Sequence, residues 1–113
     1  MTRIYKLVSR AEWDAAKAAG SFLGAAIDLA DGYIHFSTGA QAVETARKYF
    51  AGLDDILIVG FEAETLGPNL KWEPSRGGDL FPHLHEPLDP ALAIEERAAP
   101  LGGDGHLILG TLS

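Results

Sequence analysis

Cysteine is absent from this chain of 113 residues. The chain therefore forms no disulfide, no thiolate zinc site and no cysteine nucleophile. Long apolar runs are also missing. No segment approaches the roughly 18 residues of a membrane span, and residues 1–6 (MTRIYK) lack the apolar core of a signal peptide. These absences lead us to expect a cytoplasmic protein without a membrane partner.

Basic residues are scarce as well. Nine Lys and Arg stand against sixteen Asp and Glu, which gives a formal net charge of -7. Binding to nucleic acid or to anionic membranes rewards Lys and Arg, so we expect neither as a partner. A hydrophobic fraction of 47% and a charged fraction of 22% are typical of a soluble globular protein. The length predicts a single domain over residues 1–113.

The first half of the chain alternates strands with helices. We predict strands at residues 4–8 and 33–38, helices at residues 11–19 and 39–50, and a loop at residues 21–30. Each helix follows a capping box, in which a hydroxyl side chain satisfies a free backbone N–H of the first turn. The two boxes pair Ser9 with Glu12 and Thr38 with Gln41. In the second helix, Val43, Ala46 and Phe50 are predicted as the apolar stripe.

Two residues of the loop at residues 21–30, Phe22 and Leu23, are predicted to anchor it in the core. The Asp31-Gly32 pair predicts a tight turn at the loop's end, because glycine tolerates a positive φ.

The second half is dominated by strands. The nearly continuous apolar run at residues 56–61 predicts a central strand that is covered on both faces. Further strands are predicted at residues 70–73, 80–85, 92–101 and 106–109, with a glycine-rich loop at residues 74–79 and a hairpin turn at residues 102–105. The element order predicts an α+β fold with a mixed or antiparallel sheet and two helices in the N-terminal half.

A polar face is predicted on the strand at residues 33–38. Side chains alternate along a strand, so Tyr33, His35 and Ser37 point one way while Ile34 and Phe36 point the other. This strand leads directly into a helix N-terminus. The arrangement is typical of a binding surface.

A second candidate site lies between Lys71 and His85. Polar side chains crowd around a Gly-Gly turn there, and Arg76 would suit a phosphate or a carboxylate. The alternative is a solvated loop between two strands. Trp72 is predicted as a core residue, with a stacking platform as the alternative.

The three histidines His35, His83 and His85, with Glu73 as an alternative third ligand, could also bind a metal. We do not favour a metal, because two histidines on one strand face are a weak signal. The sequence contains no Gly-x-Ser-x-Gly elbow, no phosphate-binding Gly-x-x-x-x-Gly-Lys loop and no Gly-x-Gly-x-x-Gly. The residues alone thus give a candidate site without a reaction.

Four pieces of the sequence resemble the bacterial family called domain of unknown function 952. They are residues 4–6 (IYK), 31–38 (DGYIHFST), 70–74 (LKWEP) and 78–84 (GDLFPHL). The resemblance covers nearly the whole chain in the right order. That family is uncharacterised and is similar to the ADP-ribosyltransferase-like fold, a split β-sheet that binds NAD in its cleft.

The resemblance implies an ADP-ribosyltransferase-like enzyme or a protein that binds NAD or another nucleotide. It implies His35 and Glu73 as catalytic residues, with Glu73 assigned by strand order and Lys6 or Tyr5 near the position of a first-strand His or Arg. Expected NAD contacts are Lys6, Ser37, Thr38, Trp72, Arg76, His83 and His85. The competing interpretation is a non-catalytic module that holds a small anionic molecule through Arg76 and the histidines.

Overall fold

The computed structural model describes residues 2–112, and it describes Arg76 through its backbone alone. Within that range the chain forms three α-helices: α1 (Arg10–Ala19), α2 (Ala26–Asp31) and α3 (Gly39–Tyr49). The strands are β1 (Arg3–Ser9), β2 (Ile34–His35), β3 (Ser37–Thr38), β4 (Ile56–Glu62), β5 (Leu70–Pro74), β6 (Leu80–Leu84) and β7 (Glu95–Ala99). Short 3-10 turns occupy Ala63–Leu66, Arg76–Gly78 and Pro90–Leu92.

The described strands form two antiparallel sheets. The larger has the order β3-β1-β4-β7, and the smaller has the order β2-β6-β5. The predicted α+β fold with antiparallel sheets is therefore confirmed. No helix within residues 2–112 combines the length and the apolar character that a membrane span requires.

The core lies on both faces of the larger sheet. On one face Trp13, fully buried, makes edge-to-face contacts with Phe22 and Phe61. The smaller sheet packs into the same cluster through Ile34 and Leu84. The other face is covered by α3 and the C-terminal segment, in a cluster of buried residues that comprises Tyr5, Leu7, Ala42, Ala46, Ile56, Ile58, Ala99, Leu107 and Leu109. Because β4 is buried on both faces, its prediction as a central strand is confirmed.

The helix boundaries follow the capping signals. Ser9 accepts a hydrogen bond from the backbone N–H of Glu12 (3.1 Å), and Gly20 ends α1 in the left-handed conformation. Thr38 and Gln41 form the predicted capping box of α3. The predicted apolar stripe of α3 is wrong at Val43, a residue that is 54% exposed, since the helix packs on the sheet through Ala42 and Ala46.

The stretch at residues 33–38 is divided between the two sheets. Ile34 and His35 pair with β6, whereas Ser37 and Thr38 pair with β1. Phe36 lies at the junction, where its backbone N–H donates to Pro82 O (3.0 Å). The prediction of one continuous strand is wrong, because the chain crosses from one sheet to the other at this point.

The predicted loop at residues 21–30 is also wrong in its second half, which forms α2. Helix α2 has six residues, and its buried side chain is Asp28 rather than an apolar one. It ends at Gly32, where a φ of 87° confirms that the glycine is needed. Phe22 is buried as predicted, while Leu23 is 66% exposed and does not reach the core.

The C-terminal strands are shorter than predicted. Residues 92–101 contribute only β7, because Pro90–Leu92 forms a 3-10 turn. Residues 106–109, all within the described range, form no strand. Leu107 pairs with Leu101 in an isolated antiparallel β-bridge. Strand β6 ends at Leu84, one residue before the predicted end.

Candidate functional site

A cavity of about 440 Å³ opens where β2 leaves the smaller sheet and β3 joins the larger one. Its walls come from β1, α2, β2, β3, α3 and β6, so both sheets contribute. Polar lining residues include Lys6, Asp31, His35, Ser37 and His83. The aromatic lining residues are Tyr5, Tyr33, Phe36, Tyr49, Phe50 and Phe81. The volume is within the range of about 300–1,000 Å³ that is usual for small-molecule sites.

A buried ion pair lies beneath this cavity. Nζ of Lys6, in the middle of β1, is 2.9 Å from Oδ2 and 3.1 Å from Oδ1 of Asp28. Lys6 is 5% exposed and Asp28 1%. The ammonium also donates to the carbonyl oxygen of His35 (2.9 Å). The side chain of Lys6, from the larger sheet, is thus hydrogen-bonded to both α2 and β2.

The Asp28 carboxylate is surrounded by donors. It accepts hydrogen bonds from the backbone N–H groups of Ala25 (2.9 Å) and His35 (3.0 Å), in addition to Lys6. Nδ1 of the His35 ring lies 2.6 Å from Oδ1. Burial by itself raises the pKa of Asp28, but the hydrogen bond with His35 and the charge of Lys6 outweigh it and hold the pKa below its ordinary value. Asp28 is therefore an ionised acceptor at neutral pH.

The other nitrogen of His35 faces the surface. Nε2 lies 2.9 Å from Oδ2 of Asp31, whose side chain is 45% exposed. The ring of Tyr33 lies against three imidazoles, with centroid distances of 4.2 Å to His83, 4.7 Å to His35 and 5.2 Å to His85. Tyr33 thus contacts all three of these histidines.

Glu73 joins two of these histidines. Its Oε1 is 2.9 Å from Nδ1 of His83 and 2.8 Å from Nε2 of His85. These contacts, that of His85 first, lower the pKa of Glu73. Burial lowers the pKa of His83, although Glu73 opposes this effect. Glu73 does not line the cavity, but it holds His83, which does.

Strand register explains which predicted residues meet. Side chains directly opposite each other on antiparallel strands share a face, and His35 is opposite His83. On β5, Lys71 is also opposite His83. Glu73 is two residues further along the same strand, so its side chain lies on the same face as that of His83. Trp72, opposite Pro82, lies on the other face and is 40% exposed. The prediction of Trp72 as a core residue is therefore wrong.

The remaining predicted residues are placed as follows. Ser37 is buried in the cavity wall, and its hydroxyl lies 2.8 Å from that of Thr45. Thr38 caps α3 through its side chain. The predicted ligand contact of Arg76 lies outside the described residues, since its side chain is not described. Lys6, His35, Ser37 and His83 meet at the cavity, and Glu73 and His85 lie beside it.

Sequence reasoning missed the two aspartates of α2. Asp28 and Asp31 belong to a stretch that shows no apolar periodicity, so nothing indicated a helix there. The signal that could have found them is their spacing, because positions three apart lie on the same side of a helix and both precede His35 closely. Among the described side chains, no group of three or more His, Cys, Asp or Glu residues is arranged to hold a metal ion.

Comparison with known proteins defines the class of this chain. The model of the family described as Protein of unknown function (DUF952) matches residues 7–96. No curated protein matches the chain. The chain belongs to the DUF952 family, which confirms the resemblance in the sequence.

Solved structures of one bacterial protein, CC0527 from Caulobacter crescentus, are similar over nearly the full length. Its crystal structure is 55% identical, with 96% of each chain covered and a TM-score of 0.94. The crystal structure of a double mutant is 54% identical with the same coverage and a TM-score of 0.93. The solution NMR structure is 55% identical, with 97% of this chain and 95% of that chain covered and a TM-score of 0.87.

Proposed function

We propose that this chain is an ADP-ribosyltransferase-like protein that binds NAD, or a related nicotinamide nucleotide, in the cavity between its two sheets. The observation that carries the proposal is the convergence of His35, His83, Ser37 and Lys6, from both sheets, on one cavity of about 440 Å³. A division into two antiparallel sheets with a cleft at their junction is the architecture that the resemblance implies. A cytoplasmic location, expected from the sequence, would give the site access to nicotinamide nucleotides.

The cavity lining suits a flat heteroaromatic ring with polar substituents. Tyr5, Tyr33, Phe36 and Phe81 supply aromatic surface, and rings of this kind pack against one another in offset or edge-to-face geometry. Hydroxyl and imidazole groups in the same walls would orient the amide and the ribose. The residues present therefore fit a nicotinamide riboside unit.

Two residues would act on the bound nucleotide. His35, which lines the cavity, would exchange a proton through Nε2, the ring nitrogen that Asp28 does not hold. Glu73, which lies beside the cavity rather than in its wall, would act across His83. It would stabilise the positive charge that develops on the ribose as its bond to nicotinamide weakens, since a carboxylate favours such charge electrostatically. Its position beside His83 is the support for this role.

Thermal denaturation with NAD, ADP-ribose and nicotinamide tests the proposal. A ligand that binds only the native state at about 100 times its Kd stabilises it by about 2.7 kcal/mol, so the melting temperature should rise measurably. Glu73→Gln should retain that rise and lose release of nicotinamide, whereas Glu44→Gln, on the exposed side of α3, should retain both. The absence of any shift with all three compounds would overturn the proposal.

A second outcome would favour the non-catalytic alternative. Binding without release of nicotinamide, weakened by Arg76→Ala more than by Glu73→Gln, would indicate a module for small anionic ligands. The same variants distinguish the two functions, because only the enzyme requires the Glu73 carboxylate for turnover.

A further inference from the structure

We infer that Asp28 is a positioning residue that holds the hydrogen of His35 on Nδ1, so that Nε2 is the ring nitrogen that can exchange a proton with a ligand. The inference rests on the proposed function for the ligand that would exchange the proton, but the position of the hydrogen on His35 is a property of the ligand-free protein. It assigns a role to the buried pair of Asp28 and Lys6, of which Lys6 lines the cavity and Asp28 does not.

The orientation of the Asp28 carboxylate is fixed. Oδ2 accepts from the backbone N–H of Ala25 and from Lys6, while Oδ1 accepts from the backbone N–H of His35 and from Lys6. Each oxygen thus faces donors that cannot act as acceptors. Because an ionised carboxylate only accepts, the 2.6 Å contact between Oδ1 and Nδ1 of His35 is a hydrogen bond that the ring donates.

Lys6 is what keeps this arrangement ionised. A single carboxylate that is 1% exposed would be strongly disfavoured without an opposite charge, and Nζ of Lys6 supplies one within 2.9 Å. The same ammonium holds the carbonyl oxygen of His35. Lys6 therefore fixes both the charge of Asp28 and the backbone that carries the imidazole.

The partner of Nε2 is of a different kind. Asp31 is at the last position of α2, and its side chain is 45% exposed. Its carboxylate also accepts only, so the 2.9 Å contact with Nε2 is a hydrogen bond when the ring carries both hydrogens. When the ring carries one hydrogen, the exposed Asp31 can turn to water or give way to a ligand, and Nε2 is then the acceptor. Asp28, in contrast, is held in place by four further contacts, two with Lys6 and one each with the backbone N–H groups of Ala25 and His35. The two nitrogens of one ring are thereby given unequal roles, one structural and one exchangeable.

Nuclear magnetic resonance of the imidazole nitrogens tests this in the ligand-free protein. In the wild type at a pH where the ring is neutral, we expect His35 to hold its hydrogen on Nδ1, the reverse of the tautomer that a free histidine side chain prefers. In the double variant Lys6→Met/Asp28→Ala, which removes both buried charges together with the acceptor at Nδ1, the Nε2–H tautomer should appear. Asp31→Asn is the matched control and should leave Nδ1 protonated.

The wild-type spectrum alone can overturn the inference. If neutral His35 carries its hydrogen on Nε2, Asp28 does not set the tautomer, whatever the variants do. The inference also fails if the double variant is folded and its tautomer is unchanged. A protein that passes this test and shows no thermal shift with nicotinamide nucleotides would retain the positioning pair and lose the proposed function, so the two failures are distinguishable.

Discussion

Nζ of Lys6 and Oδ2 of Asp28 lie 2.9 Å apart in a part of the protein where almost no solvent reaches either side chain. The pair links the centre of β1 to a six-residue helix that has few other buried groups. Isolated helices of this length are unstable in water, so α2 depends on contacts of this kind. The geometry of the cavity wall is therefore coupled to one ion pair.

Replacing Lys6 with Met should strongly destabilise the protein. The variant leaves the Asp28 carboxylate buried without its counter-charge, and breaking a buried ion pair in this way costs about 3–5 kcal/mol. Urea denaturation monitored by Trp fluorescence measures the loss. The double variant Lys6→Met/Asp28→Asn should recover part of it, because no charge is then left unpaired. A loss of less than about 1 kcal/mol in the single variant would show that the pair contributes little.

Gly24 should tolerate alanine less well than Gly20 does. Both glycines have positive φ, 122° at Gly24 and 80° at Gly20. A Cβ at Gly24 would lie 2.8 Å from Cβ of Asp28, whereas a Cβ at Gly20 would have nothing within 4 Å. Gly20→Ala should therefore cost only the penalty of the left-handed conformation, which is about 1–2 kcal/mol. Gly24→Ala should cost more and disturb Asp28, and equal losses in the two variants would contradict the steric argument.

The stability of the protein should fall as the pH decreases below about 6.5. Burial lowers the pKa of His83, so the unfolded chain takes up a proton at a higher pH than the folded one does. The free energy of unfolding therefore decreases from the ordinary histidine pKa down to the lowered one, and this contribution then stays constant. Glu73, whose pKa is also lowered, remains ionised across that window.

Urea denaturation at a series of pH values checks this dependence. His83→Gln should flatten the profile in the window, because the group that titrates has been removed. His106→Gln, which changes a histidine outside the cluster around Tyr33, should leave the decrease in place. A wild-type profile that is flat between about pH 7.5 and 5.5 would contradict the prediction.

Local signals in the sequence predicted the parts of the fold that local interactions determine. The caps at Ser9 and Thr38 and the apolar run of β4 are each encoded within a few neighbouring residues. Helix α2 could not be predicted in this way, since its buried residue is a charged one whose partner, Lys6, is 22 positions away. The division of residues 33–38 between two sheets likewise depends on pairing with β1 and β6.

The same difference between local and long-range interactions applies to the residues of the candidate site. His35 was identified because strand alternation places it on a polar face, whereas its register with His83 depends on the pairing of β2 with β6, which was not predicted. Asp28 and Asp31, which hold its two nitrogens, were missed because they belong to α2. Long-range ion pairs depend on tertiary packing, so no short sequence motif indicated these contacts.

Tyr33 should hold the three histidines in place through its ring rather than through its hydroxyl. The ring stacks on His83 with an interplanar angle of 29° and contacts His35 and His85 as well. Aromatic pairs of this kind contribute about 0.5–1.5 kcal/mol beyond the area they bury. Tyr33→Leu should lose that stabilisation and shift the ring proton signals of all three histidines, whereas Tyr33→Phe should change both much less. Denaturation and histidine ring spectra measure the two effects, and a leucine variant with unaltered histidine signals would show that Tyr33 does not organise the cluster.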